Sequence, residues 1–141
     1  MSHKRKAIRH ALRDALDQHP QLTGRVFTTR ARPTEQKELP VIIVYGLDEE
    51  SERTSYQGSL QRNLAVAVEI RASAVGALDD ALDDLCSVVE SVVADSRRLS
   101  GLAMDTVLTT TSIGIDGEGE ARQALATLRY NVRYQTDAAG N

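Results

Sequence analysis

The chain is read as a two-layer α+β domain, a mainly antiparallel mixed sheet carrying two helices on one face, in the order α-β-β-β-α-β-β. Three observations predict it: two amphipathic helical stripes separated by strands, an apolar run bounded by Pro and Gly, and long segments alternating with a period of two. No βαβ rhythm of short repeating units appears. At 141 residues the chain has room for one domain with its own core, residues 1–141, with 137–141 expected to fray.

From Lys4 to His19 the apolar residues Ala7, Ile8, Ala11, Leu12, Ala15 and Leu16 recur at spacings of three and four, gathering on one helical stripe. Pro20 stops the helix, because the residue before proline is pushed out of the helical region. A short strand of β-formers follows at 25–29. Leu39-Pro40-Val41-Ile42-Ile43-Val44-Tyr45-Gly46 is rich in β-branched residues and too short for a stable helix, so it reads as a strand buried on both faces.

Beyond it, Asp48, Glu49, Glu50, Glu52 and Arg53 stand in a stretch with little to bury, read as a projecting contact arm. Leu60, Arg62, Leu64, Val66, Val68, Ile70 and Ala72 then alternate from 59 to 73, predicting a long strand that pairs antiparallel with the buried one. The acidic stretch is expected at the tip of that hairpin.

The second helix spans about 76–95. Leu82, Leu85, Cys86, Val89 and Val93 share one side, while Asp79, Asp80, Asp83 and Asp84 share the other. Ser100-Gly101 breaks the chain before a Thr-rich strand at 104–115. Asp116-Gly117 signals a hairpin turn, and the last strand alternates Ala124, Ala126, Leu128, Tyr130, Val132 and Tyr134 against polar residues.

Composition excludes several function classes. No apolar stretch approaches the roughly 20 residues that span a bilayer, and the basic amino terminus leads into an amphipathic segment rather than a signal core. The lone Cys86 rules out an internal disulfide and, on the apolar side of a helix, reads as a core residue rather than a nucleophile. The histidines, His3, His10 and His19, have no Cys or His at metal-ligand spacing, and His10 with Asp14 reads as a surface contact. Asp79 with Asp83 and Asp80 with Asp84 are each a helical turn apart, weak candidates for a divalent cation such as magnesium; a solvated acidic first turn that suits the helix dipole accounts for Asp79 and Asp80 without an ion. No other cofactor is implied. Gly114, Gly117 and Gly119 are turn glycines, with no phosphate-loop Lys-Ser or Lys-Thr pair following.

Charge is sorted along the chain. Lys4, Lys6, Arg9 and Arg13 make the first helix basic, while 48–52 and 79–95 are acidic. Opposed patches allow copies to pack head to tail, and such an interface closes into a ring if the rotation permits. Both stretches also read as solvated faces. Lysine occurs only at Lys4, Lys6 and Lys37, and the Arg bias suits an interface protein. A second reading, a small nucleic-acid-binding module using the basic helix, is disfavoured by an acidic pI, one Phe and no Trp to stack bases.

Four stretches taken in succession carry a family resemblance: Ile8 to His19, Glu38 to Tyr45, Leu64 to Ile70, and Leu128 to Tyr134. Together they resemble the tail terminator family of long-tailed phages, also called minor tail protein U. The resemblance implies no catalytic residues. It implies a homo-oligomeric ring, usually a hexamer, at the head-proximal end of the virion tail, which assembles in the host cytoplasm. Its partners would be the tail tube protein and the head-tail connector protein, with no membrane and no specific nucleic acid. A tail-completion or connector protein of similar fold is the nearest alternative. Lys4, Lys6, Arg9, Arg13, Asp48, Glu49, Glu50, Glu52 and Arg53 are the interface candidates.

Overall fold

The computed structural model of the chain describes residues 3–28, 39–73, 78–116 and 123–141. Helix α1 covers Lys4–Asp17 and α2 covers Leu78–Asp95; the strands are β1, Val26–Phe27, β2, Val41–Arg53, β3, Leu60–Ser73, β4, Asp105–Asp116, and β5, Gln123–Thr136. The expected order is the observed one. The strands form one sheet in the order β1-β2-β3-β5-β4, with β1 parallel to β2 and every other pair antiparallel.

Helix α1 buries Ile8, Leu12 and Leu16, the stripe that its spacing dictates. Its end is fixed by Asp17, whose carboxylate accepts from the Gly24 N–H at 2.8 Å and whose carbonyl accepts from the Thr23 hydroxyl. Helix α2 buries Leu82, Cys86, Val89 and Val93, with Leu85, Val88 and Val92 partly buried around them. Both stripes meet one sheet face, formed by Ile42 and Val44 of β2, the even-numbered residues 64–72 of β3, and the even-numbered residues 124–134 of β5. At about 25 cal/mol per Å² of apolar surface removed from water, this shared core is what holds the two layers together. The apolar run is buried on both faces as expected: Val41 and Ile43, pointing away from the helices, are 3% and 2% exposed.

Two expectations change. The acidic stretch 48–53 is not a tip loop but the distal half of β2, paired residue by residue with β3 from Glu49–Leu64 to Arg53–Leu60. The tip is 54–59. The carboxy terminus, expected to fray, is instead a hydrogen-bonded turn. The Asp137 carboxylate accepts from the N–H groups of Ala139 and Asn141, both at 2.9 Å, and the Gly140 carbonyl accepts from the Lys4 N–H at 2.9 Å. Gly140 has φ +88°, and a Cβ there would overlap the His3 ring. Both termini therefore close on each other. The predicted Asp116-Gly117-Glu118-Gly119 turn lies beyond β4, with 117–119 outside the described residues.

Candidate assembly interface

A one-residue bulge decides what the acidic segment of β2 can do. Gly46 pairs with Val66 but Glu49 pairs with Leu64, so β2 spends one residue more than β3 across this step. Before the bulge, even-numbered residues of β2 face the helices; after it, Glu49, Ser51 and Arg53 do. Simple alternation would have turned Asp48 and Glu50 inward.

Glu49 consequently lies beneath the start of α1, its side chain only 9% exposed. One carboxylate oxygen accepts from Arg5 Nη1 at 2.8 Å and Arg62 Nη1 at 2.7 Å, and the other accepts from the Tyr134 hydroxyl. Arg62, itself buried, also donates through Nε to Thr136 Oγ1 at 2.8 Å. Burial alone would raise the Glu49 carboxyl, but the Tyr134 hydroxyl and the two guanidiniums outweigh it and hold the group below its ordinary value. Burial, with Glu49 beside it, drives Tyr134 upward. This network joins α1, β2, β3 and β5 from inside. Glu49 is therefore removed from the interface candidates, because a partner cannot reach a carboxylate already holding three donors.

The remaining candidates divide by place. Asp48, Glu50 and Glu52 are exposed on the outer flank of β2, and their side chains make no hydrogen bond or ion pair among the described residues. Arg53 is occupied in its own hairpin: Nε donates to the Ser55 carbonyl and Nη2 to the Tyr56 carbonyl, both at 2.9 Å. That clamp presents Tyr56 fully to solvent. On α1, Lys4 donates through Nζ to the Gln135 carbonyl at 3.1 Å, Arg13 pairs with Asp14 at 3.0 Å, and Lys6 and Arg9 border a shallow groove with Tyr45, Gly46 and Leu47. Asp14 is thus taken by Arg13 rather than by His10. The basic helix and the acidic strand, expected on opposite sides, lie side by side and are bonded to each other through Arg5 and Glu49.

Sequence reasoning missed three features. Tyr56 stood in a stretch read only for its charges. The apolar side chains Val107, Ile113 and Ile115 of β4 are 50%, 60% and 59% exposed, and Met104 just before it is 44% exposed. β4 is an edge strand, and the ten residues Thr106–Ile115 contain no charge and no proline, the usual protections of an edge. The Thr-rich composition was the available signal.

Chemistry of an enzymatic kind finds no footing in these groups. Cys86 is 6% exposed and burial, aided by Glu90 and Asp83, pushes its thiol up to about 11, far from a nucleophile's range. Asp79, Asp80, Asp83 and Asp84 are all exposed, and no three His, Cys, Asp or Glu side chains among the described residues converge on a common point. The groove between α1 and the turn after α2 is lined by Asp14, Asp95, Arg97 and Arg98 among others, with no His, Cys, Lys or Tyr among the described lining residues beside the two carboxylates.

The family model of phage minor tail protein U matches residues 3–134. The chain belongs to the phage minor tail protein U family. It is thus a structural component of the virion tail, from a non-enzymatic family. Among solved structures it is similar to a chain in the virion of a native gene transfer agent particle, at 10% sequence identity and a TM-score of 0.52, over 92% of this chain and 95% of that one. That likeness shows the fold. No curated protein matches it.

Proposed function

We propose that this minor tail protein U is a tail terminator: a ring, of six copies, that caps the tail tube, halts its polymerisation and offers the surface that meets the head connector. The observation that carries the reading is the family match over residues 3–134. The geometry supports it. A capping protein needs broad, rigid contact surfaces rather than a pocket, and here the long β2–β3 hairpin projects a clamped tip whose Tyr56 is the kind of exposed aromatic that anchors interfaces. The Glu49 network and the joined termini stiffen the distal half of that hairpin.

Tails assembled without this protein are the test. Electron microscopy of such lysates is expected to show tails of uncontrolled length and heads without tails, with normal length restored when the protein is supplied. Tails of normal length joined to heads in its absence would overturn the assignment.

A further inference from the structure

We propose that neighbouring copies join edge to edge, the acidic outer flank of β2 in one copy seating against the exposed edge strand β4 of the next. The inference rests on the ring reading and specifies its interface. It is carried by two unfinished edges, one lined by free carboxylates and the other with free arginines one strand in from it.

At one edge of the sheet, among the described residues, β1 covers β2 only at Ile42 and Ile43. From Gly46 to Arg53 no strand among the described residues flanks β2 on the side away from β3, and this length carries Asp48, Glu50 and Glu52, all exposed and without ion-pair partners among the described residues. At the other edge, β4 runs Asp105–Asp116 with exposed Val107, Ile113 and Ile115. Beside it on β5, pointing to the sheet face away from the helices, stand Arg129 next to Thr110 and Arg133 next to Asp105. Both arginines are exposed and make no side-chain hydrogen bond or ion pair among the described residues.

The two features share a level and a face. Glu50, Asn63, Arg133 and Asp105 form one row across β2, β3, β5 and β4, so Glu50 at one edge is level with Arg133, which stands one strand inside Asp105 at the other. Copies set side by side in one orientation therefore bring Glu50 level with Arg133 of the neighbour, with Asp105 on the strand between them. The helical layer is sorted as well, with basic α1 over β1 and β2 and acidic α2 reaching over β4, so the same side-by-side step brings basic α1 of one copy beside acidic α2 of the next. Such an interface uses two different patches, which is the condition for a ring rather than an isolated dimer. The uncharged β4 edge is then protected by assembly rather than by its own sequence.

The test uses two full-length variants, Glu50→Arg/Glu52→Arg and Arg129→Glu/Arg133→Glu, whose altered side chains hold nothing in the fold. Circular dichroism and thermal unfolding confirm that each remains folded, and sedimentation at low salt measures assembly. Wild type is expected to assemble, and each variant alone to have a self-association constant weakened roughly 100-fold or more, because like charges then face each other. An equimolar mixture is expected to recover the wild-type mass, since each variant complements the other around an alternating ring. Assembly of either variant alone at wild-type strength, or a mixture that stays dissociated, would overturn the proposed interface. A wild type that is strictly monomeric yet limits tail length would overturn it while leaving the capping role, whereas a wild type that assembles through these edges but leaves tail length uncontrolled would overturn the capping role alone.

Discussion

Two buried tyrosines four residues apart on β5 do opposite things for the fold. Tyr134 donates its hydroxyl to Glu49, whereas the Tyr130 hydroxyl is buried with no hydrogen-bond partner among the described residues. Burial, with Glu90 nearby, pushes the Tyr130 hydroxyl well above its ordinary value, so it stays neutral but remains desolvated. An unpaired buried hydroxyl costs stability, and removing it relieves that cost. Tyr130→Phe is expected to stabilise the domain by about 1 kcal/mol, and Tyr134→Phe to destabilise it by about 1–2 kcal/mol. Urea unfolding of the two variants side by side checks the pair.

Glu49 links the same region to pH. Its folded pKa lies below the ordinary 4.5, so its contribution is fully present above that value and is lost as pH falls through the lower, folded one. Glu49→Gln is expected to be less stable than wild type near neutral pH and to lose less on acidification to about pH 3.5. Equal slopes of stability against pH in the two proteins would show that Glu49 carries no such linkage. Replacing Asp48, Glu49, Glu50 and Glu52 together by Lys would for the same reason disturb the interior as well as the surface, since a lysine at 49 would face Arg5 and Arg62 in a buried site.

At the scale of elements, both helical stripes, the doubly buried run and the long alternating strands were legible because burial imposes a period on the residues that fill each face. What the sequence did not disclose was the bulge between Gly46 and Glu49: one extra residue leaves composition untouched but inverts which side chains face inward for the rest of β2. It turned a presumed contact residue into the centre of an internal network, and left Asp48, Glu50 and Glu52 outside. The closed carboxy-terminal turn was hidden for a related reason, since its small and polar residues look like any loose tail, and the Asp137 carboxylate and the bond from the Lys4 N–H to the Gly140 carbonyl order them. The hairpin offers a direct test of its own role. Tyr56→Ala is expected to change stability by less than about 0.5 kcal/mol, because the side chain touches solvent alone, while reducing the joining of tails and heads. Unimpaired joining by that variant would remove Tyr56 from the docking surface.

The whole molecule has a stiff core and two unfinished edges. The basic helix and acidic strand that suggested two opposite sides turned out to be neighbours, but the sheet supplies another asymmetry, with free carboxylates along β2 at one edge and free guanidiniums beside β4 at the other. The first is legible in the sequence as a charge run; the second is not, because Arg129 and Arg133 meet β4 only through strand pairing. Under the proposed terminator role the protein acts by being added to copies of itself, and the state in which it assembles is the central property of that proposal. The native mass of the wild-type protein, measured over rising concentration with and without magnesium, addresses that property most directly. The account predicts a species of six copies of the 15.4 kDa chain. A single-chain mass at every concentration would contradict it.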